Sequence, residues 1–294
     1  MLLVLRAPSM THLPFYAAEE KGFFQQQGVS VRCIHSHDDP QNIVQLMLEG
    51  EVAFYATIVA AVEAAMHGWG ELRALCATML SKYPCAARTE IQSLADLKGK
   101  KVMVGGGRSY NELMWLCRYY GWQAERDLEI VRGELSDRVK AFLDPTFAAV
   151  FGRPQYLFWL KKGGFHLLPY PENRAWAEAG LATSLALIRE KPDVVQRVVN
   201  AIVMATEYLK QHRDEAVNVA RKNVPYLTQE AAEGNYDVFR EWYSYDISEG
   251  AIAHQAEVFG MAKNQFRPVK LDEVADLSFL QKTLRQINLS QQYG

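Results

Sequence analysis

Short strand-like and helix-like segments alternate along the first part of the chain, and this alternation constrains the fold more than any other feature. The strand-like segments are LLVLRAP, VSVRCIH, EVAFYA and ELRALCATML. The helix-like segments between them are LPFYAAEEKGFFQQQG, DPQNIVQLMLEG and TIVAAVEAAMHG. Asp39 and Thr57 are the predicted N-caps of the second and third helices. Because a helix follows each strand after a short interval, we expect a parallel sheet with helices on its faces.

The alternation restarts after YPCAARTE. KVMVGGG, LEIVRG, FAAVFG and FHLLPYP are predicted strands, with helices expected at 109–120, 135–143 and 153–162. YPCAARTE and GLATSLALIRE are extended segments suited to crossing between two lobes. Helical patterns then continue to the end of the chain, beginning with the strongly periodic KPDVVQRVVNAIVMATEYLKQH. The prediction is an α/β protein with two Rossmann-like lobes: lobe 1 from 1–85 and 188–294, with its helical C-terminal part, and lobe 2 inserted at 86–187.

Composition excludes several classes of protein. The formal net charge is -2, and no block of like charge suggests a nucleic-acid or membrane-surface partner. No apolar run approaches the roughly 18–20 residues that span a bilayer. The first residues, MLLVLRAPS, are too short and too soon polar for a signal peptide, and they predict a strand. We expect a periplasmic or lipid-anchored extracytoplasmic protein if a leader was removed, and a cytoplasmic protein otherwise.

Cysteine spacing and catalytic motifs indicate neither a metal site nor an enzyme. The four cysteines form no C-x-x-C pair, so buried free thiols are expected, with a Cys76–Cys85 disulfide as the alternative. The motifs G-x-S-x-G, H-E-x-x-H and G-x-x-x-x-G-K-[ST] are missing from the sequence. In GGGRSY, Tyr110 stands where a dinucleotide-binding turn has its third glycine. We predict no catalytic residue and no cofactor.

A glycine-rich turn, GGGRSYNE, joins a predicted strand to a predicted helix. Open α/β sheets bind ligands at the carboxyl ends of their strands, and a helix N-terminus offers unpaired N–H groups. Arg108 adds a cation that can bind a carboxylate, sulfonate or phosphate through two hydrogen bonds. We expect this loop outside the core, with ligand contacts from Gly107, Arg108, Ser109, Tyr110 and Asn111. The alternative is a plain tight turn with a capped helix and a solvated arginine.

Loops after the first three strands supply the other candidates. Thr11, His12 and Ser36 follow the first and second strands, and Thr57 begins the helix after the third. His12, His35 and His37 would also suit a metal ion, but no carboxylate or cysteine spacing supports one, so we predict no metal.

Further candidates are Tyr16 in the first lobe and Arg153 and Tyr170 in the second. Aromatic residues are frequent near these loops, which suits a planar or aromatic anion in a cleft between the lobes.

Four segments carry a resemblance to known proteins when taken in order, namely LPFYAAEEKGFFQQQGVSV, LMLEGEVAFYAT, IQSLADLKGKKVMVGGG and KPDVVQRVVNAIVMATEYL. Together they resemble one family, the substrate-binding proteins of ABC importers for sulfonates, nitrate and thiamine precursors. The resemblance implies a type II periplasmic-binding-protein fold and a small-molecule ligand held between closing lobes. It also implies delivery to a transporter permease without chemistry. We expect a monomer.

The chain departs from this family pattern at three positions. Ala53 and Ala148 replace two aspartates at strand ends, and Pro145 replaces a glycine. An enzyme of the yeast-type thiamine-pyrimidine synthase class, or a cytoplasmic ligand sensor, is the alternative on the same fold. Val59 stands where that enzyme has its reactive histidine, and GLATSL lacks its cysteine-rich run, so the enzyme is disfavoured.

Overall fold

The computed structural model describes residues 1–6, 8–133, 135–152, 164–262 and 267–287. Within them lie ten strands. They are β1 (Leu2–Leu5), β2 (Arg32–His35), β3 (Phe54–Tyr55), β4 (Leu72–Ser81), β5 (Cys85–Arg88), β6 (Lys101–Val104), β7 (Glu129–Arg132), β8 (Ala149–Phe151), β9 (Phe165–Leu168) and β10 (Trp176–Ser184).

Helices occupy most of the remaining described chain. They are α1 (Leu13–Glu20), α2 (Phe23–Gln26), α3 (Pro40–Leu48), α4 (Val59–His67), α5 (Arg108–Tyr119), α6 (Ala124–Asp127), α7 (Leu135–Ala141), α8 (Leu185–Glu190), α9 (Pro192–Gln211), α10 (Arg213–Asn223), α11 (Gln229–Phe239), α12 (Glu249–Ala262), α13 (Leu271–Val274) and α14 (Ser278–Gln286). None of the described helices is long and apolar enough to cross a bilayer. The helix predicted at 153–162 lies outside the described residues.

The chain divides into two compact units. The first comprises Met1–Leu80, Ala177–Ala253 and Val269–Gly294, and the second comprises Ser81–Trp176 and His254–Pro268. The sequence pattern predicts an inserted lobe at 86–187. The second unit begins slightly earlier than that lobe, ends its first segment at Trp176, and also takes in part of the predicted C-terminal helical region.

Each unit contains a five-stranded mixed sheet, whereas the alternation of the first segments predicts a parallel one. The first sheet has the order β2-β1-β3-β10-β4, and the second has the order β7-β6-β8-β5-β9. β10 runs antiparallel to β3, and β5 runs antiparallel to β8 and β9. Both reversed strands lie largely in the segments predicted as extended crossings.

The core of the first unit forms around α9. This helix begins with Pro192 in its first turn, and its valines at 195, 198 and 199 are fully buried. The spacing of three to four residues places them on one face, which packs against α1, α2 and α14. The periodicity of the sequence predicts this helix correctly.

Local signals place most elements, with two differences. Asp39 caps α3 as predicted, because its carboxylate accepts a hydrogen bond from the Gln41 N–H at 2.9 Å. The single helix expected from Leu13 to Gly28 is broken between Glu20 and Phe23 into α1 and α2. The extended segment GLATSLALIRE is half strand and half helix, since β10 ends at Ser184 and α8 follows it.

Gly180 in β10 has no room for a side chain. A Cβ atom placed there would lie 2.5 Å from the backbone oxygen of Cys76 and 2.5 Å from a methyl group of Ile58. Because one of these neighbours is main chain of β4, a small rotation of a side chain would not relieve the clash. Glycine therefore sets how closely β10 approaches β4.

Candidate functional site

The carboxyl ends of three strands meet at one edge of the first sheet. Leu5 of β1 lies opposite His35 of β2, and Val4 lies opposite Tyr55 of β3, with all three strands parallel. The residues that follow these strands therefore reach the same edge. We call this set the first-sheet edge, and it comprises Ser9, Thr11, His12, Tyr16, His35, Ser36 and Thr57.

The loop after β1 forms a tight polar turn. The Ser9 hydroxyl accepts a hydrogen bond from the Thr11 N–H at 3.2 Å and lies 3.0 Å from the Thr11 hydroxyl. His12 ends this 3-10 turn, and its ring contacts the ring of Tyr16 edge-on at 6.3 Å between centroids. All four side chains are buried. The predicted candidates Thr11, His12 and Tyr16 are thus brought together.

Tyr16 and His35 form a pair whose proton positions follow from their partners. His35 Nδ1 lies 2.6 Å from the backbone oxygen of Arg6, which can only accept, so Nδ1 carries the hydrogen. In neutral imidazole, Nε2 is then an acceptor, and the Tyr16 hydroxyl lies 3.4 Å from it. Burial raises the pKa of Tyr16 far above its usual value, so the hydroxyl keeps its proton and donates.

The remaining first-unit candidates hold the backbone at the same edge. The Ser36 hydroxyl donates to the Asp38 carboxylate at 2.7 Å. The Thr57 hydroxyl accepts from the Val59 N–H at 3.3 Å, which is the capping bond expected of it, although α4 itself begins at Val59. Both side chains are half-buried, so they combine a fixed position with access to solvent.

The glycine-rich turn of the second unit connects β6 to α5. Gly107 has φ 56°, a conformation that glycine adopts without steric cost, and α5 begins at the next residue. Ser109 is buried in the first helical turn, and Asn111 is half-buried. The guanidinium of Arg132 lies 3.7 Å above the centre of the Tyr110 ring. Gly107 and the four predicted residues after it therefore all lie at the N-terminus of α5.

Arg108 is packed against the core of its unit, which differs from the expected exposed loop. Its Nη2 lies 3.1 Å from Oε1 of Glu112, a side chain only 2% exposed, and we call these two residues the α5 ion pair. The guanidinium also lies 3.9 Å from the centre of the buried Trp176 ring. Tyr170, another predicted candidate, is buried and donates its hydroxyl to the same carboxylate. The charge of Arg108 is thus already matched by a buried carboxylate.

A fully buried histidine lies behind this pair. The His254 ring centroid is 4.7 Å from that of Tyr170 and 4.5 Å from that of Trp115, and neither ring nitrogen has a hydrogen-bond partner among the described residues. Burial, with smaller contributions from Arg174 and Arg108, lowers the pKa of His254 from 6.5 to about 3. The ring is therefore neutral at physiological pH.

The structure thus collects the predicted residues into two separate groups. The first-sheet edge includes Thr11, His12, Tyr16, Ser36 and Thr57, and the start of α5 holds Gly107, Arg108, Ser109, Tyr110 and Asn111 with Tyr170 nearby. Arg153 lies outside the described residues. Sequence reasoning did not identify Glu112, Trp176 or His254, although the four-residue spacing of Arg108 and Glu112 is a recognisable signal for an ion pair on a helix.

The described cysteines and metal-ligand residue types have no arrangement typical of catalysis. All four cysteines are free thiols. Burial raises the pKa of Cys117 to about 11 and that of Cys76 to about 12, and it raises those of Cys33 and Cys85 further. No group of three His, Cys, Asp or Glu side chains within the described ranges could hold a metal ion.

Known proteins resemble this chain in sequence and in fold. The riboflavin-binding protein RibY of Chloroflexus aurantiacus is 22% identical over 229 residues, which cover 74% of this chain and 64% of RibY. The chain thus spans less than two thirds of the length of that curated relative.

Solved structures show the same fold. The periplasmic aliphatic sulphonate binding protein SsuA of Escherichia coli superposes with a TM-score of 0.70 at 14% identity, covering 95% of this chain and 92% of SsuA. The desulfurization enzyme DSZB superposes with a TM-score of 0.64 at 18% identity, covering 97% of this chain and 99% of DSZB. These likenesses confirm the predicted periplasmic-binding-protein fold, a fold that hosts both binding proteins and an enzyme.

The family follows from the sequence itself. The model of the family described as NMT1/THI5 like matches residues 9–216, which is well over half of the chain. The matched region includes the segments that carry the resemblance inferred from the sequence. That resemblance is therefore confirmed, and the chain belongs to the NMT1/THI5-like family.

Proposed function

We propose that this protein is an extracytoplasmic solute-binding protein that captures a small organic ligand, anionic or aromatic, and delivers it to an ABC importer. Its family and its resemblance to RibY and SsuA support a binding role. We further propose that it acts as a monomer with a permease as its partner. Light scattering on the eluted protein tests the monomer, and stimulation of ATPase activity in a reconstituted importer tests the partner.

The observation that carries the proposal is the chemistry of the first-sheet edge. Its side chains are hydroxyls and imidazoles, all buried or half-buried except the exposed His35, and they are already oriented by bonds to one another and to the backbone. The Tyr16 hydroxyl, which stays protonated, can exchange its His35 partner for a ligand acceptor at little net cost. Such preoriented neutral groups beside aromatic rings suit a planar organic molecule with polar substituents.

The second unit supports an additional contact to the ligand. The first turn of α5 offers N–H groups that no preceding turn satisfies, and these favour an anionic group. We propose that the Gly107–Asn111 turn and Tyr170 contact the ligand, with Arg153 as a further candidate. Because Glu112 already balances the charge of Arg108, we expect Arg108 to contribute less to anion binding than an unpaired cation would.

The state of the thiols favours binding over covalent catalysis. A cysteine nucleophile needs a depressed pKa, usually from a nearby cation or a helix N-terminus. Burial instead raises the pKa of each of the four thiols, so each remains protonated at neutral pH. We propose that the protein has no enzymatic activity, and the protonated thiols support this for cysteine-based catalysis in particular, although the fold is shared with DSZB.

Identification of the bound molecule tests the proposal most directly. Purified protein is denatured, and the released small molecules are identified by mass spectrometry. In parallel, thermal unfolding is followed with sulfonates, aromatic carboxylates, pyrimidines and flavins. A ligand at a hundredfold excess over its Kd stabilises the folded state by about 2.7 kcal/mol. Conversion of any of these compounds to a product would contradict the proposal, as would the lack of a thermal shift with the molecule that the protein releases.

A pair of matched variants locates the site. Thr57→Val removes the hydroxyl of the first-sheet edge and keeps the shape of the side chain. Thr89→Val makes the same change at an exposed position of the second unit. We expect about fivefold weaker ligand binding for Thr57→Val and no change for Thr89→Val, since a neutral hydrogen bond contributes about 1 kcal/mol. Equal affinities for both variants would place the ligand elsewhere.

A further inference from the structure

A separate cavity of about 310 Å³ lies in the second unit beside the C-terminal half of α5. Its lining consists of aromatic, charged and thioether side chains, namely Trp115, Arg118, Tyr119, Arg174, Glu257 and Met261. None of these residues belongs to the predicted binding set. The volume lies at the lower end of the range for small-molecule sites, which begins at roughly 300 Å³. The cavity is therefore suited to a molecule with about one ring.

One wall of the cavity is a fixed aromatic surface. Trp115 and Tyr119 lie four residues apart on α5, and their rings stack at 5.3 Å between centroids with 28° between planes. The Trp115 indole N–H donates to Glu257 at 2.8 Å, and the buried His254 ring supports the indole edge-on from behind. A ring that binds here meets a preoriented surface, which lowers the entropic cost of binding.

The segment that carries Arg174 is also held in place. Glu172 has φ 56°, an uncommon conformation for a residue other than glycine. Its carboxylate accepts a hydrogen bond from the Tyr119 hydroxyl at 3.0 Å and lies 3.5 Å from Arg174 Nε. Such a conformation persists only where several contacts fix it, and these two contacts do so at the rim of the cavity.

The charges of the lining leave one cation and one anionic oxygen available. Arg174 is balanced by Glu257, with Nη1 and Oε2 2.6 Å apart, and by Glu172. Glu257 accepts hydrogen bonds from Trp115 and Arg174, both through Oε2. Its Oε1 therefore has no partner in the described part of the chain, and the side chain is 29% exposed. Arg118 is exposed and makes no hydrogen bond or ion pair with any described residue.

We propose that this cavity binds a small zwitterion that carries an aromatic ring, such as a free aromatic amino acid. The ring packs against the exposed Tyr119, whose orientation is fixed by its stacking on the buried Trp115. The carboxylate pairs with Arg118, and the ammonium group donates to Glu257. Each charged group of the ligand thus meets a group of opposite charge, and the cation of Arg174 stays with its own carboxylates. This site is distinct from the first-sheet edge and does not depend on the proposed transport function.

Calorimetric titration with three related probes tests the zwitterion. L-phenylalanine carries both charges, phenylacetate lacks the ammonium group, and phenethylamine lacks the carboxylate. We expect L-phenylalanine to bind, and each analogue to bind about fivefold more weakly, because a partly exposed ion pair contributes up to about a factor of five. No binding of L-phenylalanine, or equal binding of all three probes, would overturn the proposal.

Two variants and a control locate the binding. Arg118→Ala and Glu257→Gln should each weaken L-phenylalanine binding about fivefold. Arg126→Ala, at an exposed position on α6, should leave it unchanged. Because Arg118 is exposed, its removal should not disturb the fold, which circular dichroism verifies. Unchanged affinity of the Arg118→Ala variant would refute the assignment, whatever the result for Glu257→Gln.

Discussion

The two strand-end groups use different chemistry for similar positions in their sheets. At the first-sheet edge, hydroxyl and imidazole groups bond to one another over distances of 3.0 to 3.4 Å. At the start of α5, a guanidinium, a buried carboxylate and a phenol form a network around Glu112. The first group contains hydroxyl and imidazole partners, and the second contains opposite charges of which one is almost completely buried.

Because of this difference, we expect the first-sheet edge to affect ligand recognition and the α5 ion pair to affect stability. A neutral hydrogen bond contributes about 1 kcal/mol, so the first-sheet edge can exchange partners and still leave the fold intact. Removing one member of a buried ion pair costs several kcal/mol, because the other charge is left without compensation. Changes at the first edge should therefore alter ligand affinity, whereas changes at the α5 ion pair should first alter the stability of the second unit.

The largest expected effect follows from loss of the buried carboxylate. Glu112→Leu leaves Arg108 without its partner and the Tyr170 hydroxyl without its acceptor, so unfolding free energy should fall by about 3–5 kcal/mol. Urea denaturation measures this loss. Glu125→Leu, at an exposed position on α6, is the matched control and should change stability by less than about 0.5 kcal/mol.

A double variant separates charge from packing in this network. Arg108→Met combined with Glu112→Leu removes both charges, and we expect it to recover most of the stability lost by Glu112→Leu alone. If the losses of the two single variants simply add, the ion pair contributes no coupling and the contrast between the two edges disappears.

Arg108 provides the next test, now on ligand affinity. If the ligand is anionic, Arg108→Ala should weaken its binding by about 2 kcal/mol, the contribution of a charge-assisted hydrogen bond, since Glu112 already matches the net charge of the guanidinium. Arg108→Lys should recover only part, because an ammonium group lacks the planar fork. Equilibrium titration below the unfolding temperature measures the effect, with Arg126→Ala as the control. An affinity within about twofold of the wild type would indicate an uncharged ligand, and Tyr110 and Tyr16 would become the next residues to test.

His254 should make the stability of the second unit pH-dependent. The pKa of this ring is about 3 in the folded protein, compared with 6.5 for a histidine that is not buried. Between these values the unfolded chain binds a proton that the folded chain does not, so stability falls as pH falls below 6.5. On acidification from about pH 7 to 5, the wild type should lose about 2 kcal/mol more than His254→Leu.

Urea denaturation at both pH values measures this difference. The exposed His37→Leu variant is the control and should follow the wild type. Equal losses for the wild type and His254→Leu would mean that the ring accepts a proton in the folded state as readily as in the unfolded state.

The smallest effect is expected at the first-sheet edge. Tyr16→Phe removes one hydroxyl that donates to His35, so ligand affinity should fall up to about tenfold while stability changes by about 1 kcal/mol. Because the Tyr16 pKa is raised, affinity should show no step from this group between about pH 6 and pH 9. A loss of stability as large as that of Glu112→Leu would contradict the proposed distinction between the two edges.

The sequence predicts those parts of the molecule that local signals determine. The turn at Gly107, the cap at Asp39 and the periodic helix α9 all follow from residues close together in the chain. The alternation of strands and helices, which is also a local signal, predicts that β1, β2 and β3 are parallel, so the loops after them could be assigned to a common edge. Strand order within each sheet then brings their side chains together.

The remaining features depend on contacts between distant segments. The surroundings of Arg108 come from Trp176 and Tyr170, more than sixty residues away, and no local pattern announces them. His254 belongs to a helix predicted only as part of the C-terminal region, so its burial could not be foreseen. The directions of β5 and β10 likewise depend on where the chain enters each sheet.

The close approach of β10 to β4 at Gly180 has a consequence at the level of the gene. Every single-nucleotide change that alters the amino acid encoded by a glycine codon introduces a residue with a Cβ atom. At this position that atom would meet the main chain of Cys76 at 2.5 Å. We therefore expect the fold to tolerate no amino-acid substitution that arises from a single-nucleotide change in this codon. In a saturation library, we expect only synonymous variants of the codon to survive selection for folding.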